Sequence, residues 1–142
     1  MASTHIAHDC LVGDNVILSN LATLGGHVQI GNWAILGGGV LVHQFTQIGE
    51  HSLIGGGFRA VQDVPPFILA ASHPLKYKGV NIVGLKRRGF SKQDRDLIKQ
   101  AYKIFFRSGA NRKKAVERIK SELPKSKVIQ NILKFIYSID KR

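Results

Sequence analysis

The sequence contains a single cysteine among 142 residues, which excludes an internal disulfide framework. Its first residues have no basic stretch followed by an apolar run, so no secretory signal is recognisable. The apolar segments are interrupted by glycine and polar residues and are too short to cross a bilayer. These absences predict a cytoplasmic protein without an integral membrane segment.

Positive charge is nearly absent from the first part of the chain. With Arg59 as the only cation against four acidic residues, residues 1–66 have a net charge of −3. Residues 67–142 contain 20 cations and five acidic residues, a net charge of +15. A surface of that sign attracts nucleic acid, anionic lipid headgroups or an acidic protein, and charge alone does not choose among them.

A six-residue repeat runs through the first part of the chain. The first positions of its hexads are Ile6, Val12, Leu18, Leu24, Ile30, Leu36, Val42, Ile48, Ile54 and Ala60. Neither an α-helix nor an alternating strand has this period, whereas a parallel β-helix with three flat faces places one hexad on each face and about 18 residues in each coil. The pattern resembles the hexapeptide-repeat proteins, whose β-helix is left-handed. We therefore predict a mainly β fold, a left-handed parallel β-helix over residues 1–66.

Paired prolines, Pro65 and Pro66, end the repeat because proline cannot donate to a strand ladder. Residues 67–90 are predicted to form a connecting loop. Residues 91–142 have helical periodicity and are predicted to form a small basic α-helical domain. Its first helix begins after the N-cap Ser91 and ends at Ser108, and two further helices cover residues 111–123 and 127–139.

Histidines are concentrated on one strip of the predicted coils. With about 18 residues in a coil, His8, Gly26 and Gln44 lie one above another, and His27 and His43 flank this column. Such a cluster can provide a general base, a polar substrate contact or metal ligands. Stacked coils are about 4.8 Å apart and zinc–ligand bonds are about 2 Å long, so no metal site is expected here.

Asp9 and Gly26 are candidates for assisting His8. A carboxylate next to an imidazole can orient it, although neighbours on a strand point to opposite faces unless they occupy a corner. The backbone N–H of Gly26 is free of side-chain cover and can stabilise an oxyanion, or Gly26 can simply be a corner glycine.

Five ordered motifs then make the comparison with a known family specific. They are His5-Ile6-Ala7-His8-Asp9-Cys10, Leu24-Gly25-Gly26-His27, Val42-His43-Gln44-Phe45, Asp63-Val64-Pro65-Pro66 and Gly84-Leu85-Lys86-Arg87-Arg88-Gly89-Phe90. In order and spacing they resemble the UDP-N-acetylglucosamine O-acyltransferases that use acyl carrier protein and begin lipid A synthesis. The resemblance covers the C-terminal half of that family's pattern.

The resemblance implies a catalytic group of His8 as general base, Asp9 as its support and Gly26 as oxyanion donor. It implies that the sugar, acyl and nucleotide contacts come from His5, Asn20, His27, His43, Gln44, Gly56, Asn81, Arg87 and Arg88. Among these, Gly56 would lie where the acyl channel closes, and the two arginines would hold nucleotide phosphates. The resemblance thus implies that the connecting segment, residues 67–90, also binds the nucleotide. The acyl group would arrive on the phosphopantetheine of acyl carrier protein, with no separate cofactor, and the subunits would form a homotrimer.

Two other interpretations follow from the same sequence. Members of the family have more coils before His5, so a truncated or naturally shortened chain could be a catalytically silent trimeric scaffold that binds acyl carrier protein or nucleotide sugar. Nucleic-acid binding is not expected, because the aromatic residues Tyr102, Phe105 and Phe106 follow helical core spacing instead of forming a stacking platform. The acyl-chain length and the exact sugar acceptor are left open.

Overall fold

The computed structural model describes residues 1–141, and the chain divides into two compact units, Met1–Asn81 and Ile82–Arg142. Within the described residues there are twelve strands and four helices. The first unit is a parallel β-helix and the second is helical. The predicted combination of a parallel β-helix with a C-terminal helical part is therefore confirmed.

Ten two-residue strands build the coils of the first unit. They are β1 His5–Ile6, β2 Leu11–Val12, β3 Ile17–Leu18, β4 Thr23–Leu24, β5 Gln29–Ile30, β6 Ile35–Leu36, β7 Leu41–Val42, β8 Gln47–Ile48, β9 Leu53–Ile54 and β10 Arg59–Ala60. The three sheets have the orders β1-β4-β7-β10, β2-β5-β8 and β3-β6-β9, all with parallel pairing. Each residue pairs with the one 18 positions later, as His5 does with Thr23.

From Ala22 onward the core of the β-helix consists mainly of the first and fifth residues of the hexads, whereas Ile6 and Val12 in the first coil are 48% and 40% exposed. Leu24, Leu36 and Ile54 are fully buried, and so are the small fifth-position residues Ala22 and Ala34. These hexads each place two inward side chains in the narrow interior, and protein interiors are close-packed. The outward strand residues are left available for binding.

Every coil turns its corners through a left-handed residue. The second turn residue has a positive φ at Asp9, Asn15, Leu21, His27, Trp33, Gly39, Phe45, His51 and Gly57. This conformation costs a non-glycine residue roughly 1 kcal/mol, so contacts between successive turns must offset it. Two corners have such contacts. The Trp33 and His51 rings stack at 6.3 Å and the His51 and Phe67 rings at 5.8 Å, and at another corner the His27 and Phe45 rings stack at 4.7 Å.

The segment after the prolines differs from the predicted loop. It contains β11 Ile68–Ala71, β12 Lys76–Val80 and the short helix α1 Ile82–Arg87. Strand β11 continues the β3-β6-β9 sheet by pairing with β9, and β12 pairs antiparallel with β11. These strands form because the open edge of the last coil supplies hydrogen-bond partners that the local sequence does not reveal.

The second unit continues with α2 Lys92–Arg107, α3 Arg112–Glu122 and α4 Lys127–Asp140. Ser91, Asn111 and Ser126 cap their N-termini by accepting a backbone N–H in the first turn. The predicted helices and the predicted Ser91 cap are confirmed to within about two residues. No helix within residues 1–141 has the length and apolar character needed to span a bilayer.

Candidate active site

His8 and Asp9 form a pair at one corner of the β-helix. Because Asp9 has φ 60°, the chain turns between the two residues and both side chains reach the same surface. His8 Nδ1 and Asp9 Oδ2 are 3.0 Å apart. The corner therefore permits the contact that a straight strand would prevent.

This contact determines the protonation pattern of the pair. A carboxylate at Asp9 accepts a hydrogen bond from Nδ1–H of His8, which leaves Nε2 of the imidazole as the proton acceptor. The hydrogen bond with His8 holds the pKa of Asp9 below its usual value, and the nearby His27 lowers this pKa further. Asp9 is thus ionised at neutral pH, and Nε2 of His8 is available as a general base.

His27 lies one coil further along the same corner. Its Nε2 is 3.7 Å from Asp9 Oδ2, and its ring meets that of His8 edge-on at a centroid distance of 5.1 Å. Phe45, one more coil along, stacks on His27 at 4.7 Å with the rings nearly parallel. Sequence reasoning missed Phe45, although its spacing of 18 residues from His27 would have indicated this stack.

Gly26 lies directly against the candidate base. A Cβ at this position would come within 2.7 Å of Cε1 and 2.8 Å of Nε2 of His8, so only glycine fits beside the ring as it stands. Among the backbone hydrogen bonds of the described residues, the Gly26 N–H donates none, whereas its carbonyl accepts from Phe45. The corner thus combines a proton acceptor with an available N–H donor.

A groove of about 340 Å³ opens beside this corner. Its lining residues are Thr23, Gly25, Gly26, Leu41, Val42, His43, Gln44, Arg59 and Val61. It brings together three predicted site residues, Gly26, His43 and Gln44, while the predicted His5 lies on the same sheet and pairs with Thr23. Thr23, Leu41, Arg59 and Val61 were not predicted as site residues, although the 18-residue register aligns Thr23, Leu41 and Arg59 with His5.

Other predicted site residues lie elsewhere in the same unit. Asn20 and Gly56 belong to a different corner, where they occupy equivalent turns on either side of Gly38. Asn81 is buried, and its side-chain Nδ2 donates to the carbonyl of His51 at 3.0 Å. Within one chain these residues do not line the groove that contains Gly26.

The two predicted phosphate-binding arginines belong to the helical unit. Arg87 is the last residue of α1, and Arg88 follows it. Burial lowers the pKa of Arg88, and the neighbouring charge of Arg87 lowers it further. The Arg88 guanidinium nevertheless remains cationic at neutral pH, as arginine does in proteins.

His8, Asp9 and His27 also form a group that could offer three ligands to a metal ion, since their ligand atoms lie within 4.8 Å of one another. Zinc ligands bond at about 2 Å and tetrahedral ligand atoms lie closer together, so the group would have to contract around an ion. The expectation of no metal here stays a prediction.

Comparison with protein families matches both parts of the chain. Residues 63–142 match the family described as UDP N-acetylglucosamine O-acyltransferase, domain 2, and residues 9–44 match the bacterial transferase hexapeptide repeat. A curated relative from Aliivibrio salmonicida, acyl-[acyl-carrier-protein]–UDP-N-acetylglucosamine O-acyltransferase, is 49% identical over 131 residues, which are 92% of this chain and 50% of the relative.

Solved structures give the same result. The UDP-N-acetylglucosamine acyltransferase of Bacteroides fragilis matches with a TM-score of 0.94 and 40% identity, over 95% of this chain and 53% of that one. The corresponding structure from Acinetobacter baumannii matches with a TM-score of 0.87 and 42% identity, over 91% of this chain and 50% of that one. The chain spans about half the length of the curated relatives it matches. It belongs to the UDP-N-acetylglucosamine O-acyltransferase family.

Proposed function

We propose that this chain transfers a 3-hydroxyacyl group from acyl carrier protein to the 3-hydroxyl of UDP-N-acetylglucosamine, the reaction that begins lipid A synthesis. The observation that carries the proposal is the corner where His8, hydrogen-bonded to Asp9, lies against Gly26. The names of the relatives, which include both substrates, support the choice of donor and acceptor.

The reaction follows from the atoms of this corner. Nε2 of His8 accepts the proton of the sugar hydroxyl, and the hydroxyl oxygen attacks the thioester carbonyl. The N–H of Gly26 stabilises the resulting oxyanion, a contribution typically worth about 3 to 4 kcal/mol. When the carbon–sulfur bond breaks, the imidazolium returns its proton to the leaving thiolate of phosphopantetheine.

Asp9 assists this sequence through His8. Its carboxylate holds Nδ1–H, keeps Nε2 in the acceptor tautomer and stabilises the imidazolium that forms during the reaction. Proton transfer and attack on the thioester need no separate cofactor, so the proposal includes none. It also includes a cytoplasmic location, where an acyl carrier protein would meet the chain.

The charge of the helical unit supports an acidic protein donor. Residues 82–142 contain 18 lysines and arginines against five acidic residues. Such an excess accelerates encounter with an acidic partner and makes its association sensitive to salt. We include acyl carrier protein as that partner.

A homotrimer is also part of the proposal. Asn20 and Gly56 lie on a different corner from Gly26, so they could contact the same substrate only if this corner of a neighbouring subunit faced the groove. Packing the subunits side by side would bring the two corners together. The proposal also assigns Arg87 and Arg88 to the nucleotide phosphates, which guanidinium groups bind through bidentate contacts.

The test is product formation from 3-hydroxyacyl carrier protein and UDP-N-acetylglucosamine, identified by mass spectrometry as an ester at the sugar 3-oxygen. His73→Ala is the matched control, because His73 is exposed and contacts Phe58 instead of the candidate corner. We expect turnover in the parent chain and in this control, and its loss in His8→Ala. Binding of both substrates without turnover in the parent chain would contradict the enzymatic proposal and favour the silent scaffold.

A further inference from the structure

Arg59 is an isolated cation on the outer surface of the β-helix. No other lysine or arginine occurs before Lys76. Within β10 its side chain is exposed, whereas the next residue, Ala60, is fully buried in the core. The alternation of a strand therefore directs the guanidinium of Arg59 outward.

The outward position of Arg59 is part of the wall of the candidate active-site groove. Arg59 pairs in register with Leu41, Leu41 with Thr23, and Thr23 with His5. Three steps of about 4.8 Å put its backbone about 14 Å from that of His5. It shares the groove with Gly26, so a ligand that reaches the catalytic corner can extend along the wall to Arg59.

The surroundings of Arg59 leave its charge available to a ligand. Its guanidinium group takes part in no hydrogen bond or ion pair with the residues that the structure describes. Its groove neighbours Leu41 and Val61 are apolar and exposed by 45% and 54%. A guanidinium offers five N–H donors in a planar fork that matches a phosphate, and apolar neighbours strengthen such contacts by reducing local hydration.

We propose that Arg59 binds a phosphate group of a substrate that occupies this groove. This inference rests on the proposed function, whose two substrates both contain phosphate: the diphosphate of the nucleotide sugar and the phosphodiester of the phosphopantetheine arm. The chemistry recognised is the same in both cases. Arg59 acts as a binding residue and takes no part in the proton transfer at His8.

Direct binding to the full chain tests the inference with paired probes. UDP is compared with uridine, and 4′-phosphopantetheine with pantetheine, by isothermal titration calorimetry. The variants are Arg59→Gln, which removes the charge, and Arg59→Lys, which keeps it without the fork. Lys76→Gln is the matched control, because Lys76 is an exposed strand cation of the same unit and does not line the groove.

We expect Arg59→Gln to raise the Kd of one phosphate-containing probe on the order of tenfold, as the loss of a charge-assisted hydrogen bond implies. The matching probe without phosphate should be unaffected, Arg59→Lys should recover part of the affinity, and Lys76→Gln should resemble the parent. A loss of affinity confined to UDP assigns the nucleotide sugar as the ligand. A loss confined to 4′-phosphopantetheine assigns the acyl donor.

Steady-state kinetics separates this inference from the proposed function. If the parent chain turns over and Arg59→Gln leaves every Kd and KM unchanged, Arg59 is only a solvated surface residue and the inference is overturned alone. If Arg59→Gln raises the KM of one substrate with kcat preserved, the inference holds, because the lost contact then binds the substrate and the transition state equally. If the parent chain neither binds nor converts these substrates, the proposed function and the inference both fail.

Discussion

Gly26→Ala would displace the proposed base, His8, while keeping the backbone N–H that we propose as the oxyanion donor. The added methyl group would lie 2.7 Å from Cε1 and 2.8 Å from Nε2 of His8, whereas non-bonded carbon atoms normally approach to about 3.5 Å or more. The backbone of Gly26 lies outside the left-handed region, so alanine introduces no conformational strain. The imidazole must therefore move by about 1 Å, while the backbone N–H at residue 26 remains.

Displacement of the base should reduce turnover far more than it reduces stability. A misplacement of about 1 Å costs about 100-fold in rate, which corresponds to about 2.7 kcal/mol of activation free energy. The side chain of His8 is 73% exposed and can rotate outward without opening the core. We expect kcat to fall about 100-fold, and thermal unfolding monitored by circular dichroism to change little.

Two comparisons make this prediction refutable. Gly38→Ala alters the equivalent turn position of another corner, where the new Cβ would meet only the carbonyl oxygen of Asn20 at an ordinary 3.5 Å, and it controls for the stability effect of alanine in a turn. In a double-mutant cycle, adding Gly26→Ala to His8→Ala should cause no further loss, because the displaced ring is already gone. If Gly26→Ala leaves kcat unchanged, or if it lowers kcat much further in the double variant, the methyl group does not act by displacing the His8 ring.

Three further predictions concern the ion pair, a corner and a helix cap. In His8→Ala the pKa of Asp9, followed by carboxyl-carbon NMR, should rise toward its usual value because the hydrogen bond with His8 is the main cause of its depression; an unchanged pKa of Asp9 would contradict this cause. In the parent chain, the stability contributed by the ionised carboxylate is present at neutral pH and is lost as pH falls through the lowered pKa. Trp33→Ala should lower the free energy of unfolding by about 1 kcal/mol through loss of its stack on His51, and Trp33→Phe by less; equal losses in urea denaturation would exclude the stack as the source. Ser91→Ala should cost about 1 kcal/mol and Ser91→Gly only a few tenths, because Ser91 caps α2; helix loss on heating measures both, and a neutral alanine would show that the cap contributes nothing.

The fold was predictable because the six-residue period determines which side chains face the core. Leu24, Ile30 and Leu36 are at most 4% exposed, since each inward position meets the same narrow interior. The N-cap of α2 was similarly predictable, because Ser91 satisfies a backbone donor within its own first turn. Both features depend on local sequence or on a regular repeat.

Features that depend on particular corners were not predictable to the same degree. The contact between His8 and Asp9 requires a positive φ at Asp9, which the residue types alone do not establish. Strand β11 has only four residues, and its alternating burial becomes meaningful only when the edge of β9 is available for pairing. Arg59 likewise has no local motif, and its place in the groove follows only from the register between coils.

Chemical rescue is the sharpest test of whether Nε2 of His8 is the base for acyl transfer. Single-turnover acyl transfer would be measured for the parent chain and for His8→Ala, with and without added imidazole and with both substrates saturating. We expect the rate to fall at least about 100-fold in His8→Ala and to be restored in part by imidazole acting in place of the missing ring. A His8→Ala chain that reacts at the parent rate would show that His8 is not the base.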